Sequence, residues 1–513
     1  MTDRRELIRQ YKDTPRPMGV YAVRNLVNGK QLIGVARDVP GKLNGHRAQL
    51  RMRSHRNAAL QQDWDTFGSD AFAFETLDLL APSTAPDYDP GDDLKVLEEL
   101  WLQKLQPFGD QGYNPPPRSR PLPLRAVPCR IAPMPVEISL VRRMADIDRG
   151  EWDALVGADG SPFLEWDWLD ALEQAGCVAA RTGWAPHHLT VREDGRLIAA
   201  APMYLKGHSQ GEFVFDHTWA EAAERAGLTY YPKLLVGVPM TPAGGQRLLT
   251  HAAKSRPALL TVVAEALRDL CTGNQLSSVH VNFCAEDEIE PLTRAGFLHR
   301  QGVQYHWHNR DYGGFDDYLA CMRSKRRTEV RRELRLVAEQ GITVTPLEGE
   351  AIADELFEPM FRLYRSTIEK LYWGRQYLNG EFFDELRRRW KRNLCFVAAQ
   401  RGDELIAGAI NVQKGGVLYG RYWGCFQEVR QLHFAVCYYA GIAHCIERGI
   451  RRFEPGAGGE YKHWRGFDAA VTHSLHFIAH EGLARAVADF LARERAHIDD
   501  VVDVLDERSA LKK

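Results

Sequence analysis

The stretch "NPPPRSRPLPLRAVPCRIAPMPVE", residues 114 to 137, constrains this chain more than any other segment. Each proline fixes its own φ and pushes the residue before it toward an extended shape, so neither a helix nor an inner strand runs through. With no apolar period and with basic residues between the prolines, the segment reads as a semi-rigid linker over 115–136. It divides 513 residues, too many for one ordinary core, into a domain over 1–114 and a much larger region from 137 onward.

The large region reads as mixed helix and strand. "DWLDALEQAG" is a helix closed by glycine, and "HHLTVREDGRLIAAAPMYLK" is a hairpin on an Asp194-Gly195 turn. "LLTHAAKSRPALLTVVAEALRDLC" is helical, and "SVHVNFC" is a strand. A helix at "EPMFRLYRSTIEKL", a hairpin at "CFVAAQRGDELIAGAINVQKGGVLYGRYWG", a helix at "FAVCYYAGIAHCIERG" and a strand at "RRFEPGA" repeat that order. Two related lobes are expected, 137–315 and 316–490, followed by an acidic C-terminal helix over 491–513.

Composition excludes several classes. Hydrophobic content of 44% and charged content of 26% belong to a globular protein. No run of eighteen apolar residues and no basic-then-apolar leader is found, so a cytoplasmic protein without a membrane span is expected. The nine cysteines form no Cys-x-x-Cys pair, which argues against a disulfide framework or a structural zinc site. A net charge of −2 gives no global affinity for nucleic acid, but the charge is segregated. Residues 1–60 carry thirteen Lys/Arg against four Asp/Glu, and residues 61–114 carry two against twelve.

Within the first domain, "GVYAVRNLVNGKQLIG" folds back on an Asn28-Gly29 turn. His46, Arg47, Arg51, Arg53, His55 and Arg56 follow close together, then the amphipathic "LKVLEELWLQKL" and a closing "GYN". These features resemble the GIY-YIG nuclease superfamily over roughly residues 18 to 114. The resemblance implies a degenerate nuclease site made of Tyr21, His55, Glu98 and Asn114, with Glu98 as the ligand of a possible Mg2+. The second expected tyrosine is Leu32, which has no hydroxyl, and the expected helix arginine is Lys42, which lacks the planar fork that grips two phosphate oxygens. The domain is therefore expected to recognise nucleic acid or a partner rather than to cut, with Lys42, Arg47 and Arg51 as nucleic-acid contacts. A solvated basic face around structural residues is the plainer alternative.

In "YLKGHSQGEFVFD", Lys206, His208, Glu212 and Asp216 sit among Tyr204, Phe213 and Phe215, and "YYPK" adds Lys233. "EPGAGGEYKHWRGF" joins four glycines to Glu460, Lys462 and Arg465, a combination suited to phosphate or carboxylate groups. With "VQYHWHNRDYGGFDDYLACMRSKRRTEVRRE", "YWGRQYLNGEFF" and "LYGRYWGC", these stretches resemble the FemAB-like peptidoglycan biosynthesis or recognition family of GNAT-fold N-acyltransferases. The resemblance implies an α/β (α+β) chain in which a small GIY-YIG-like domain precedes two GNAT-like lobes.

Acyl transfer needs a base, oxyanion donors and a cradle for the acyl carrier. Glu460, His208 and His306 are the candidate bases. Tyr204, Lys206, Glu212, Asp216, Lys233, Arg421, Lys462 and Arg465 are the candidate substrate and donor contacts. Core strands whose polar groups pair with one another are the competing reading for "QYHWHN" and "LYGRYWGC". The run "RSKRRTEVRRELR" holds seven Lys/Arg over 323–335 and is either a solvated face or, through Lys325, Arg326, Arg327 and Arg331, a contact for RNA.

In the large region no Gln/Arg-x-x-Gly-x-Gly/Ala pyrophosphate loop is found between a strand and a helix, which tilts the donor toward aminoacyl-tRNA over acyl-CoA. Residue 435 is alanine where the family pattern leads one to expect an acid. The expected function is amide formation on an amine-bearing small molecule or peptide, needing no cofactor. A metal-dependent endonuclease with a C-terminal recognition region, and a binding protein without chemistry, are the alternatives.

Overall fold

In a computed structural model, the described residues are 17–80, 91–105, 107–114, 124, 136–370, 376–507 and 509–512. The linker, apart from Leu124 and Val136, lies outside them. The chain divides into two compact units, Met1–Arg118 and Ser119–Lys513.

The first unit is a three-stranded antiparallel sheet in the order β2-β1-β3, with β1 (Gly19–Asn25), β2 (Gln31–Ala36) and β3 (Phe72–Leu79). Gly29 takes a φ of 76°, the left-handed conformation that closes the β1–β2 hairpin. Helices α1 (Val39–Arg51) and α2 (Ala58–Phe67) start at Asp38 and Asn57, whose side chains accept the Gly41 and Leu60 amides at 2.9 and 3.0 Å. With α3 (Gly91–Leu105) they cover a small core that includes Tyr21, Val23, Leu50, Leu60, Trp64 and Tyr113.

In the second unit a four-stranded sheet runs β10 (Leu249–Thr250), β7 (Arg196–Ala201), β6 (His188–Glu193), β4 (Glu137–Val141). Beside it stands an eleven-stranded sheet in the order β13-β14-β15-β16-β17-β12-β18-β11-β9-β8-β5. Its strands are β5 (Trp184–Pro186), β8 (Met203–Lys206), β9 (Lys233–Val236), β11 (Ser278–Cys284), β12 (Leu298–His308), β13 (Ile342–Glu348), β14 (Leu394–Arg401), β15 (Glu404–Lys414), β16 (Val417–Cys425), β17 (Arg452–Glu454) and β18 (Asp468–Ile478). The unit is mixed α/β, as expected.

The two halves exchange strands across position 315. β12, from the first half, pairs with β17 and β18, and β18, from the second half, pairs with β11. This welds the halves into one sheet. Some boundaries differ from the reading above. Leu249–Thr250 is a strand, and the helix after it, α4 (Arg256–Gly273), starts at Arg256 with Pro257 in its first turn. The acidic terminal helix is the second half of α7 (Glu481–Glu507), which begins ten residues earlier than 491. The helical run 432–447 contains a π-helical turn at Ala435–Tyr439.

Helix α6 (Phe357–Lys370) packs directly on β16 because residue 424 has no side chain. A Cβ at Gly424 would fall inside the contact distance of the Leu363 carbonyl oxygen, a backbone atom that no rotamer change can move away. Gly424→Ala is expected to cost about 3 kcal/mol, in the upper range for overpacking, read as a lower urea midpoint.

Candidate active site

In the first unit the expected residues are close together, but their roles divide. The Tyr21 hydroxyl lies 2.9 Å from His46 Nε2, and His46 Nδ1 lies 2.8 Å from His55 Nε2. His55 Nδ1 accepts the Asn57 amide at 3.1 Å, so in a neutral ring its Nε2 carries the proton and donates to His46. His46 in turn donates to Tyr21. Burial, then the neighbouring His55 and Lys42, drive His46 down to about 4, and burial with nearby Glu98 pushes Tyr21 up to about 12.

Asn114 clamps β2: its Oδ1 accepts the Ile33 amide at 2.8 Å and its Nδ2 donates to the Ile33 carbonyl at 2.7 Å. Leu32 packs against the core. Lys42 and Arg51 are exposed, and Arg47 lies 4.4 Å over the Phe74 ring. Among the described residues no three His, Cys, Asp or Glu side chains are grouped to hold a metal. Glu98 would therefore offer a metal one carboxylate.

The charges expected to line a polar pocket in the second unit instead form a sealed cluster. Lys206 and Lys233 are both 0% exposed. Lys233 Nζ donates to Glu212 Oε2 at 2.8 Å, to Asp216 Oδ2 at 2.5 Å and to Ser209 Oγ at 2.8 Å. Lys206 Nζ stands 3.9 Å from Glu212 Oε1 and 3.5 Å from the centre of the Trp184 ring.

Burial raises Asp216, but Lys233 and then His280 overrule it and hold the carboxyl well below its usual range. Burial also raises Glu212, which Lys233 only partly offsets, leaving it at about 7. Two cations and two acids thus neutralise one another out of solvent, which is a structural arrangement. Tyr204 is buried beside Trp184 and His188. The nearest sequence signal was the position of Lys233 at the head of the wholly buried strand "KLLV".

A second group of polar residues is not balanced. β16 and β17 pair in parallel only over Val417–Tyr419 and Arg452–Glu454. Beyond Glu454 the partners on either side of β17, β16 and β12, are no longer joined, and a cavity of about 10 Å³, room for one water, lies between them. Gln304, Tyr419, Gly420, Arg421, Glu454 and Gly456 line it.

Glu454 is buried; its Oε1 pairs with Arg452 at 2.9 Å, while its Oε2 has no hydrogen-bond partner. Burial raises its carboxyl above the ordinary value. His306 Nε2 stands 3.9 Å from that oxygen and is driven down to about 3 by burial and then by Arg452, so the ring is neutral. Lys462, 3% exposed, donates to the Gly456 carbonyl at 2.6 Å. No carboxylate among the described side chains pairs with it, and burial lowers its ammonium to about 8. Glu454 escaped the sequence reading because "RRFEPGA" looks like an ordinary strand end.

Residues 240–243 cover this cavity. Arg421 donates to the Met240 carbonyl and to Thr241 Oγ1 at 3.2 Å, and Gln304 Nε2 donates to the Pro242 carbonyl at 2.7 Å. The remaining expected residues lie elsewhere. His208 lines a cavity of about 190 Å³ with Trp184, Met240 and Tyr377. Arg465 donates to Glu333 at 2.8 Å and to the Tyr439 hydroxyl at 2.9 Å. A cavity of about 550 Å³ lies at the end of β16, walled by Thr367, Trp423, Arg430 and His433. The Glu460 side chain lies outside the described residues.

Because the sealed cluster is charge-balanced, removing one member is expected to cost more than removing a pair. Asp216→Asn should lose about 3–5 kcal/mol in urea unfolding, whereas Lys233→Met with Asp216→Leu should recover most of that loss.

Residues 143–513 match the family model described as FemAB-like, peptidoglycan biosynthesis/recognition. No match was found among curated proteins. Among solved structures the chain is similar to FemX, with 13% identity, a TM-score of 0.43, and coverage of 67% of this chain and 98% of that one. A tandem GNAT protein from the clavulanic acid biosynthesis pathway gives 12% identity and a TM-score of 0.38 over 67% of this chain and 99% of that one. The catalytic domain of the homing endonuclease I-TevI gives 24% identity and a TM-score of 0.16 over 19% of this chain and 96% of that one. The family match spans more than half of the sequence, and the chain belongs to the FemAB-like family.

Proposed function

We propose that this chain is an N-acyltransferase whose reaction centre is the gap where β16 and β17 part. The observation that carries the reading is Lys462, a buried cation without an acid among the described side chains, held on the carbonyl of Gly456, which lines the same cavity as Glu454, a carboxylate with one unpartnered oxygen. Buried charge left unbalanced in this way costs stability, and a ligand that develops negative charge would repay it.

The neutral acceptor amine bonds through its nitrogen lone pair to the acyl carbonyl carbon, and the oxyanion that forms is held by Lys462 and Arg421. The nitrogen, now cationic, gives one proton to Glu454, whose raised carboxyl is a stronger base than an exposed one. As the bond to the carrier oxygen breaks, the proton on Glu454 passes to that leaving oxygen. Neutral His306 stands beside the carboxylate without cancelling its charge. Glu454 takes the part of base for which the sequence offered Glu460, His208 and His306.

The family resemblance and the loop between β16 and the next helix, which has no glycine over 426–431, favour an aminoacyl ester of tRNA as donor over acyl-CoA. The acceptor is an amine-bearing small molecule or peptide. The first unit serves recognition of nucleic acid or a partner, because Leu32 puts an apolar side chain where nucleophile activation calls for a hydroxyl.

Labelled mixed aminoacyl-tRNAs, and separately acyl-CoAs, should show which donor loses its label to an amine. Lys462→Met is expected to slow transfer about 10²–10³-fold. The reaction needs the ammonium form, so the wild-type rate should fall as pH rises through about 8, and Lys462→Arg should remove that fall.

A further inference from the structure

The 3₁₀ turn Glu460–Arg465 presents its side chains in two directions. Lys462, His463 and Arg465 are buried, whereas Tyr461 and Trp464 are 56% and 43% exposed. The two exposed rings meet edge to face at 5.9 Å, and the Arg326 guanidinium lies 4.9 Å over Trp464. Paired large aromatics at the surface, next to a cation, mark a place where something stacks.

The neighbouring helix α5 of the second half, Ser324–Ala338, supplies the charge. Lys325, Arg331, Arg332 and Arg335 are exposed along it. The acids nearby are partly spent: Glu329 pairs with Arg326 at 2.8 Å, Asp316 with Arg331 at 3.4 Å, Glu339 with Arg335 at 3.8 Å, and buried Glu333 with Arg465 at 2.8 Å. Among the described residues no carboxylate pairs with Lys325, Arg327 or Arg332. At about 1.5 Å per residue these fifteen residues span about 22 Å, a row matched to a polyanion rather than to a single phosphate.

We infer that Tyr461 and Trp464 form a stacking platform for the unpaired end of an RNA strand whose phosphates run along Ser324–Ala338. Base faces are available to such a platform in a single strand and hidden in a duplex. The inference rests on the acyl-transfer reading for its purpose: a base stacked on the outer side of the turn sets its linked acyl group beside Lys462 on the inner side.

The test is fluorescence anisotropy of the full chain with a labelled single-stranded RNA of about eight nucleotides, competed by the same sequence as a blunt duplex and by CoA. Tyr461→Ala and Trp464→Ala should each weaken single-strand binding about tenfold or more without changing its salt dependence. Arg331→Ala and Arg332→Ala should each flatten the plot of log affinity against log salt by about 0.7. Binding by the Tyr461→Ala/Trp464→Ala double variant as tight as wild type, or equal competition by the duplex, overturns the platform. Because binding is read without a donor, failed acyl transfer leaves that result standing. Lost platform with intact transfer from acyl-CoA leaves the transferase standing.

Discussion

Three residues of parallel pairing decide the architecture of the second unit. Val417–Tyr419 join Arg452–Glu454, and through β17 the meander β14–β15–β16 is tied to β12 and so to the rest of the eleven-stranded sheet. A longer β17 would have zipped the sheet shut, and a shorter one would have split it in two. Ending where it does, at a buried acid followed by Pro455 and glycine, it leaves backbone on both sides of an opening whose lining includes a carboxylate with one unpartnered oxygen.

The same unit handles buried charge in two opposite ways. Around Lys233 each cation has an acid, Lys233 at 2.5 and 2.8 Å and Lys206 at 3.9 Å, so although Glu212 Oε1 and Asp216 Oδ1 accept no hydrogen bond the cluster is charge-balanced and shut away from solvent. Around Lys462 the balance fails: its ammonium rests on neutral carbonyls, Glu454 keeps an unpartnered oxygen, and His306 contributes no charge. Sites that persist with unbalanced buried groups are the ones to search for chemistry, because the missing partner is supplied by the substrate. The turn that carries Lys462 inward also carries Tyr461 and Trp464 outward, which joins the interior to the basic surface of Ser324–Ala338.

Features governed by near neighbours in the chain were legible. The hairpins on Asn28-Gly29 and Asp194-Gly195, the strand Ser278–Cys284 and the helix Phe357–Lys370 follow from turn chemistry and apolar period. Features set by pairing between distant segments were not. Nothing local to "RRFEPGA" tells that its strand stops at Glu454 between two others, and nothing local to "YYPK" tells that Lys233 meets acids about twenty residues away in a closed core. Charges among aromatics look alike in a sequence whether they line a pocket or seal one. Lys462 was legible because a glycine-rich loop with a lysine signals close approach, whatever the burial.

The most direct measurement is acyl transfer by Gly420→Val. A Cβ at position 420 would stand 3.1 Å from Pro455 Cα and 3.4 Å from the Phe453 ring, so a branched side chain fills the gap between β16 and the segment after β17. With thermal unfolding followed in parallel to verify the fold, transfer should fall at least about 100-fold, the scale of losing a positioned reacting group. A folded Gly420→Val protein that transfers acyl groups at the wild-type rate would contradict the placement of the reaction in this gap.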